Sequence, residues 1–407
     1  MTPLPRRQFI QGSALAAVLA SVGACSTSRG DDDGPVTFEG TGPITWVQGK
    51  DNSAGKVQAR IDEWNKANPG EEVKLIELSA EADQQRTALV NAARINSNAY
   101  DVVSLDNVWV SEFAANRWVV ELPQDELKND DILEPVWKTG VYKDKLFAVP
   151  KTWDEVKTAI DKVRALPGHE NIGGFGGQFA KYEGLTCCAS EFIHTAGGGF
   201  YDADTQVILD STESVTGLQW LIDGFAKGYI PKESLEWKEE DGRNAFESGD
   251  LLFYRQWPYQ YANNKESLGP DKFDVAALPS IDGKPFVPTL GGHNCAITKG
   301  SKNKATALKF VKWWINEDSQ RYQLKTQTLA PILGSLYDDP ELLKEFPYLP
   351  ILKQSLENAK SRPQAVYYGD VTAKIQDNIY PAIQQPGSRS AKDVIAALSN
   401  DLKKLEG

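Results

Sequence analysis

The stretch between residues 44 and 105 constrains the fold most, because strand-like and helix-like segments alternate along it. The strand-like segments are residues 44–47, 73–78 and 101–105, and the helix-like segments between them are residues 54–67 and 83–94. The first helix carries Val57, Ile61 and Trp64 at the i, i+4, i+7 spacing of one buried face. This order predicts a parallel α/β sheet with helices on its faces. Ligands of such sheets bind beyond the carboxyl ends of the strands, so Asp106, directly after the third strand, becomes a candidate site residue.

The rest of the chain continues the mixed pattern of helices and strands. Residues 212–226 and 303–317 have the apolar spacing of amphipathic helices. The glycine run at residues 173–177 lacks the spacing and context of a dinucleotide loop, and it predicts a flexible strand or a turn. The chain has 407 residues, of which 41% are hydrophobic, and this length suggests about two or three domains. The mixed pattern favours two α/β lobes over one.

The first residues have the pattern of an export signal. The pair Arg6-Arg7 precedes a run of small and apolar residues, 12–22, that is too short to cross a bilayer, and this predicts a signal peptide over residues 1–24. The run ends at Cys25 in the sequence VGAC, which resembles the lipobox of bacterial lipoproteins. The resemblance implies a lipid-anchored protein on the extracytoplasmic face of the cell membrane, with residues 25–42 as a lipidated cysteine and polar linker. Export by the Sec or the twin-arginine route, and a chance cysteine after an ordinary signal peptide, stay open.

The charge balance argues against one class of partner. The sequence has 44 Lys+Arg against 56 Asp+Glu, a formal net charge of −12. Nucleic-acid interfaces need clustered basic side chains. We therefore expect no nucleic-acid partner.

Motifs for catalysis are sparse. The three histidines, His169, His194 and His293, have no metal-ligand spacing. The sequence contains neither a Gly-x-Ser-x-Gly elbow nor a phosphate loop. We expect no cofactor and no enzymatic activity. An exported glycoside hydrolase stays an alternative, because two carboxylates brought together by folding suffice for that chemistry.

Three cysteines remain if Cys25 is lipidated, so at most one internal disulfide can form. A bridge would join Cys187 or Cys188 to Cys295, provided that their Cα atoms lie within about 7 Å. The other interpretation is three small buried thiols.

Aromatic residues are abundant, with eleven tryptophans and fourteen tyrosines against one methionine. Sugars present C–H faces and fixed arrays of hydroxyls, so their sites combine flat rings with carboxylates, amides and arginine. Most aromatic side chains pack in cores, and local context must select the others.

Several motifs provide that context. They are residues 101–109 (DVVSLDNVW), 145–150 (KLFAVP), 151–155 (KTWDE), 182–186 (YEGLT), 246–249 (FESG), 255–259 (RQWPY), 290–294 (LGGHN) and 335–340 (SLYDDP). Over about residues 43 to 405 the chain resembles the family-1 extracellular solute-binding proteins, the ligand receptors of bacterial sugar ABC importers, and most closely their trehalose/maltose-type members. The resemblance implies a type II periplasmic-binding-protein fold, in which two α/β lobes with doubly wound sheets are joined by a hinge.

The family implies how the chain is divided and what it does. The first lobe would comprise residues 43–149 plus about 285–325, and the second residues 151–284 plus about 326–407. A monomer would bind an α-glucoside-type oligosaccharide and deliver it to the permease subunits of an ABC transporter.

The resemblance also implies a ligand site. Its residues are Asp106, Glu183, Trp257, Gly291, Gly292, His293 and Arg362. Asp106 would accept sugar hydroxyls, Trp257 would stack on a pyranose face, the glycines would let backbone amides approach, and Arg362 would form a forked contact. A helix cap for Asp106, a core position for Trp257 and a surface ion pair for Arg362 are the alternatives.

Two departures from the family pattern bear on function. His293 stands where these receptors usually carry a tryptophan. Between the positions of Pro150 and Lys151, the family normally has a strand and a short helix, which form the first crossing between the lobes, and this sequence has neither. We therefore expect weakened or lost sugar binding, and a lipoprotein of this fold without a transport role is a further alternative.

Overall fold

The computed structural model describes residues 36–51, 53–95, 97–127, 131–133, 136, 153–202, 206–281 and 286–406. The predicted signal peptide, Cys25 and the junction at Pro150 lie outside these residues. None of the helices in the described part of the chain combines the length and the apolarity that a membrane crossing needs.

A four-stranded sheet forms the centre of the first lobe. Its strands are β1 (Ile44–Gln48), β2 (Val73–Glu77), β3 (Val102–Asp106) and β6 (His293–Ile297), in the order β2-β1-β3-β6. As predicted, β1 pairs in parallel with both neighbours, whereas β6 returns from much later in the chain and runs antiparallel to β3. All five residues of β3 are buried, as expected for a central strand with both faces covered.

Helices cover both faces of this sheet. They are α1 (Lys56–Ala67), α2 (Ala82–Arg94), α3 (Val110–Ala115), α4 (Gln124–Leu127) and α10 (Lys304–Trp314), with a 3-10 turn at Asn107–Trp109. Strand alternation sends Trp46 into the apolar cluster that α1 and α10 build, and Val47 into the cluster that α2 and α3 build. The buried residues of α1 are Val57, Ile61 and Trp64, as their spacing predicts.

The helix predicted over residues 303–317 is two helices. α10 ends at Trp314, and α11 (Glu317–Gln327) begins after Asn316, whose side chain accepts from the Ser319 amide at 2.9 Å. An asparagine cap satisfies a free amide of a new helix, so the apolar periodicity continues across a break in the backbone. Ile315 therefore lies in the break and not on the buried helix face.

The second lobe is mainly helical around strands β4 (Gly173–Gly176) and β5 (Leu251–Tyr254), which pair in parallel. Its helices are α5 (Trp153–Arg164), α6 (Glu183–Thr195), α7 (Thr212–Ala226), α8 (Glu239–Glu247), α9 (Gln260–Ser267), α12 (Pro340–Glu345), α13 (Leu349–Asn358), α14 (Tyr368–Gln384) and α15 (Ala391–Lys403), with 3-10 turns at Lys232–Glu236 and Gly334–Tyr337. The glycine run forms strand β4, and glycine is required at 174 because a Cβ there would lie 2.3 Å from the Tyr229 carbonyl oxygen. Within the described residues this sheet has two strands, so helices provide most of the lobe.

Two chain segments connect the lobes beside the site. The Thr289 amide donates to Glu191 of α6 at 3.1 Å, and the next residue, Leu290, donates to the Lys360 carbonyl at 2.8 Å before β6 begins. Tyr368 is fully buried in a first-lobe cluster, although the α14 helix that it starts packs in the second-lobe core. Both segments therefore fix the position of the sheet edge that carries Asp106.

The cysteines of the described residues are free thiols. Cys187 and Cys188 lie buried on α6, whereas Cys295 lies on β6. Burial raises the pKa of the Cys188 and Cys295 thiols to about 12.

Candidate ligand-binding cleft

The candidate site lies at the carboxyl edge of the first-lobe sheet. Asp106 ends β3 and is the register partner of His293 at the start of β6. The Asn107 amide donates to the Gly292 carbonyl at 3.2 Å, and its Nδ2 donates to the Leu290 carbonyl at 2.8 Å. The antiparallel return of the chain therefore places the glycine pair and His293 beside Asp106.

Trp257 reaches the same cleft from the second lobe. It follows β5 and is half-buried, and it lines a cleft of about 2110 Å³ together with Asp106. The Arg255 guanidinium covers one face of the ring, with Cζ 3.8 Å from a ring centroid. The ring edge packs on Gly291, where a Cβ would lie 2.4 Å from Cζ3 of Trp257. Glycine is therefore required at 291 for the approach of the indole.

Arg362 is buried between the lobes and does not form a surface ion pair. Its side chain is 2% exposed, with Nη2 2.7 Å from Asp106 Oδ1 and Nη1 2.5 Å from Glu183 Oε1. The guanidinium thus joins the end of β3 to the first turn of α6. The forked contact that the sequence analysis assigns to a ligand is made here with two carboxylates of the protein.

Glu183 has protein donors on both oxygens. Besides Arg362, the Tyr368 hydroxyl donates to Oε1, and the Thr372 hydroxyl donates to Oε2 at 2.8 Å. Burial raises the pKa of Glu183, while the nearby Arg362 acts in the opposite direction. Although Glu183 lines the cleft, its carboxylate is occupied by the network that holds the lobes together.

Asp106 keeps one oxygen for other partners. Its Oδ1 accepts from Arg362 and, at 3.4 Å, from the Val108 amide that follows. No donor to Oδ2 occurs among the described residues. The capping role and a ligand-binding role are therefore compatible, because they use different oxygens of one carboxylate.

His293 lines the cleft, where its side chain is open to the solvent of the cleft while the cleft walls surround it. Desolvation by these surroundings lowers the pKa of the imidazole, Asp106 opposes the shift, and Arg362 adds to it. The ring is therefore neutral near pH 7, with one nitrogen as a donor and the other as an acceptor.

The cleft brings together all seven residues that the resemblance implies. Sequence reasoning did not identify other lining residues that matter for its shape, which include Gln48, Gln85, Tyr182, Glu191, Lys238, Arg255 and Tyr259. Lys238 at the start of α8 pairs with Glu81 at the start of α2, at 2.5 Å. Three of these residues lie in motifs that the sequence analysis singles out: Arg255 and Tyr259 flank Trp257 in RQWPY, and Tyr182 begins YEGLT.

Comparison with known proteins places the chain in a family. Residues 50–321 match the family model described as "Bacterial extracellular solute-binding protein". A probable ABC transporter-binding protein of Deinococcus radiodurans is 28% identical over 378 residues, which cover 85% of this chain and 89% of that protein.

Solved structures agree with this placement. The maltose-bound MalE3 of T. maritima is 27% identical with a TM-score of 0.80, over 89% of this chain and 99% of that one. The GacH receptor of Streptomyces glaucescens GLA.O, solved unliganded and with acarbose, is 21% identical with a TM-score of 0.76, over 90% of this chain and 99% of that one. The two-lobe α/β fold predicted from the sequence is thereby confirmed, and the chain belongs to the bacterial extracellular solute-binding proteins.

Proposed function

We propose that this protein binds an α-glucoside-type oligosaccharide and delivers it to the permease of an ABC importer. The observation that carries the proposal is that a carboxylate of one lobe, Asp106, and an indole of the other, Trp257, line one cleft. The maltose of the MalE3 structure supports the ligand class, because that structure matches nearly the whole chain.

The chemistry of the cleft suits a sugar. The face of Trp257 opposite Arg255 is the platform for a pyranose C–H face. Oδ2 of Asp106 accepts a hydroxyl hydrogen, and the neutral His293 ring donates to one hydroxyl or accepts from another.

Groups from both lobes then couple binding to closure. A sugar that touches Asp106 and Trp257 together stabilises the closed arrangement, because only that arrangement brings both contacts within reach. The ion pair between Glu81 and Lys238, which both line the cleft, also joins α2 to α8. Closure would present the composite surface that a permease recognises.

A thermal-shift screen tests the proposal. Maltose, trehalose, glucose and mannitol are added to the protein and to its Asp106→Asn and Trp257→Ala variants. We expect maltose or trehalose to raise the melting temperature of the parent only, since a ligand at about 100 times its dissociation constant stabilises by roughly 2.7 kcal/mol. No shift with any sugar would refute the proposal, and glucose released from maltose would indicate a hydrolase instead.

Titration calorimetry measures the affinity of the protein for the sugar. The resemblance implies that this sequence lacks the crossover segment that such receptors carry after Pro150, so we expect a weaker interaction than in receptors that have it. Ordinary tight binding of an α-glucoside would contradict that expectation.

We also propose that the protein is exported and lipid-anchored through Cys25, on the strength of the arginine pair and the VGAC sequence. Expression in a bacterial host followed by detergent phase partitioning tests this. The parent should enter the detergent phase and the Cys25→Ala variant should not. Equal partitioning of the two would contradict the anchor.

A further inference from the structure

Trp257 is supported from two directions by groups of its own lobe and of the connecting segment. Arg255 lies under one ring face and Gly291 against the ring edge. An indole that serves as a flat platform must keep its plane fixed, because stacking weakens when the ring tilts. The groups that fix Arg255 therefore bear on the platform.

The guanidinium of Arg255 is held at each of its nitrogens. Nε and Nη2 donate to Glu191, at 3.0 Å to Oε2 and 2.7 Å to Oε1 respectively. Nη1 donates to Gln178 Oε1 at 3.0 Å, while Gln178 Nε2 returns a bond to the Arg255 carbonyl at 3.0 Å. The side chain is 5% exposed, so these hydrogen bonds hold the guanidinium in one orientation.

The same carboxylate also holds the segment that carries Gly291. Glu191 Oε1 accepts from the Thr289 amide at 3.1 Å, two residues before that glycine. Glu191 of α6 therefore bonds both the cation under the face of the indole and the segment that leads to the glycine at its edge. The buried ion pair of Arg255 and Glu191 therefore lies between the Trp257 ring and the connecting segment at Thr289.

We infer that Arg255 is a positioning residue, which holds Trp257 as a stacking platform through its fork to Glu191 and Gln178. The effect of Arg255 on sugar binding rests on the proposed function, whereas its effect on the position of the Trp257 ring does not require a sugar. A cation over an indole attracts the ring most strongly when it is desolvated, as Arg255 is. A role confined to the lobe core would leave the mobility of Trp257 and its contribution to binding unchanged.

A double-mutant cycle with Arg255→Met and Trp257→Phe tests the inference. Maltose affinity is measured by calorimetry for the parent, both single variants and the double variant. We expect Arg255→Met to weaken binding about tenfold when Trp257 is present, and by much less in the Trp257→Phe background. Equal weakening in both backgrounds would overturn the inference.

Acrylamide quenching without sugar supplies a second readout. The contribution of Trp257 is the difference in fluorescence between each protein and its Trp257→Phe counterpart. It should be quenched more strongly in Arg255→Met than in the parent, and unchanged quenching would overturn the inference. If the parent binds no maltose, the sugar proposal fails while this readout still decides the role of Arg255.

Two further variants separate positioning from folding. Arg321→Met removes an arginine that bridges Glu317 and Asp339 at the surface, and it should change neither readout. Arg255→Lys keeps the charge but loses the fork, and it replaces Arg255→Met in both experiments if the methionine variant does not fold. Arg255→Lys should increase the quenching of Trp257 less than Arg255→Met does. If Arg321→Met changed the quenching as much as Arg255→Met, the inference would be overturned.

Discussion

Replacing Arg362 by methionine removes the cation that joins Asp106 of the first lobe to Glu183 of the second. Methionine has a similar length and no charge, so the change leaves packing largely intact and deletes two charge-assisted hydrogen bonds of 2.7 and 2.5 Å. Two carboxylates then remain in a buried site without their counter-ion. Removing one partner of a buried ion pair costs about 3–5 kcal/mol of unfolding free energy.

The chain offers a matched control for this change. Arg321 also bridges two carboxylates, at 2.9 Å to Glu317 and 2.7 Å to Asp339, but its side chain is 33% exposed against 2% for Arg362. Exposed ion pairs contribute about 0–1 kcal/mol because water screens them. We therefore expect Arg321→Met to cost far less than Arg362→Met.

Urea unfolding followed by circular dichroism gives the free energy of unfolding of the three proteins. Equal losses in the two variants would refute the reasoning, since each arginine bridges two carboxylates at similar distances and burial is the main difference. A loss near zero in both would show that the buried triad contributes nothing net.

The pH dependence gives an independent check. Burial already raises the pKa of Glu183 above its ordinary value of 4.5, and without Arg362 it rises further. An acid with a raised pKa in the folded state stabilises fully below its unfolded pKa, and this stability is lost as the pH rises through the folded pKa. The cost of Arg362→Met should therefore be smaller at about pH 5 than at about pH 8. A cost that does not depend on pH would argue against Glu183 as the affected group.

Three further predictions follow from single sites. Gly291→Ala should displace Trp257, because the new methyl group would lie 2.4 Å from the ring, and it should lower maltose affinity about tenfold. Gly242→Ala, with no atom nearer than 3.7 Å, should leave the affinity unchanged. Equal maltose affinities of the two variants would contradict this prediction. Burial lowers the pKa of His194 from 6.5 to about 3, so proton uptake by this residue in the unfolded chain should contribute a loss of about 2 kcal/mol between pH 7 and pH 5, and His194→Leu should make the loss measured in urea titrations smaller by that amount. A thiol reagent should modify the buried Cys187 and Cys188 only after unfolding, and mass spectrometry that finds a disulfide among these two and Cys295 would contradict the structure.

Local sequence patterns were sufficient for the first five elements of the first lobe, which run from β1 to β3. Val57, Ile61 and Trp64 form the buried face of α1 because helical spacing places them on one side of the helix, whatever lies beyond. Asp106 ends a strand that pairs in parallel with β1, so topology alone places it at the edge where ligands of such sheets generally bind. The break at Asn316 was not predicted, because a cap acts through one hydrogen bond that leaves the apolar period unchanged.

The partners of the site residues were decided by the tertiary structure. Nothing in the sequence near Arg362 indicates that its guanidinium lies between Asp106 and Glu183, which are far away along the chain. The antiparallel β6 strand likewise sets His293 opposite Asp106 through pairing over a long separation. Periodicity reports which face of an element is buried, whereas the choice of partner for a charge depends on distances that exist only after the lobes have packed.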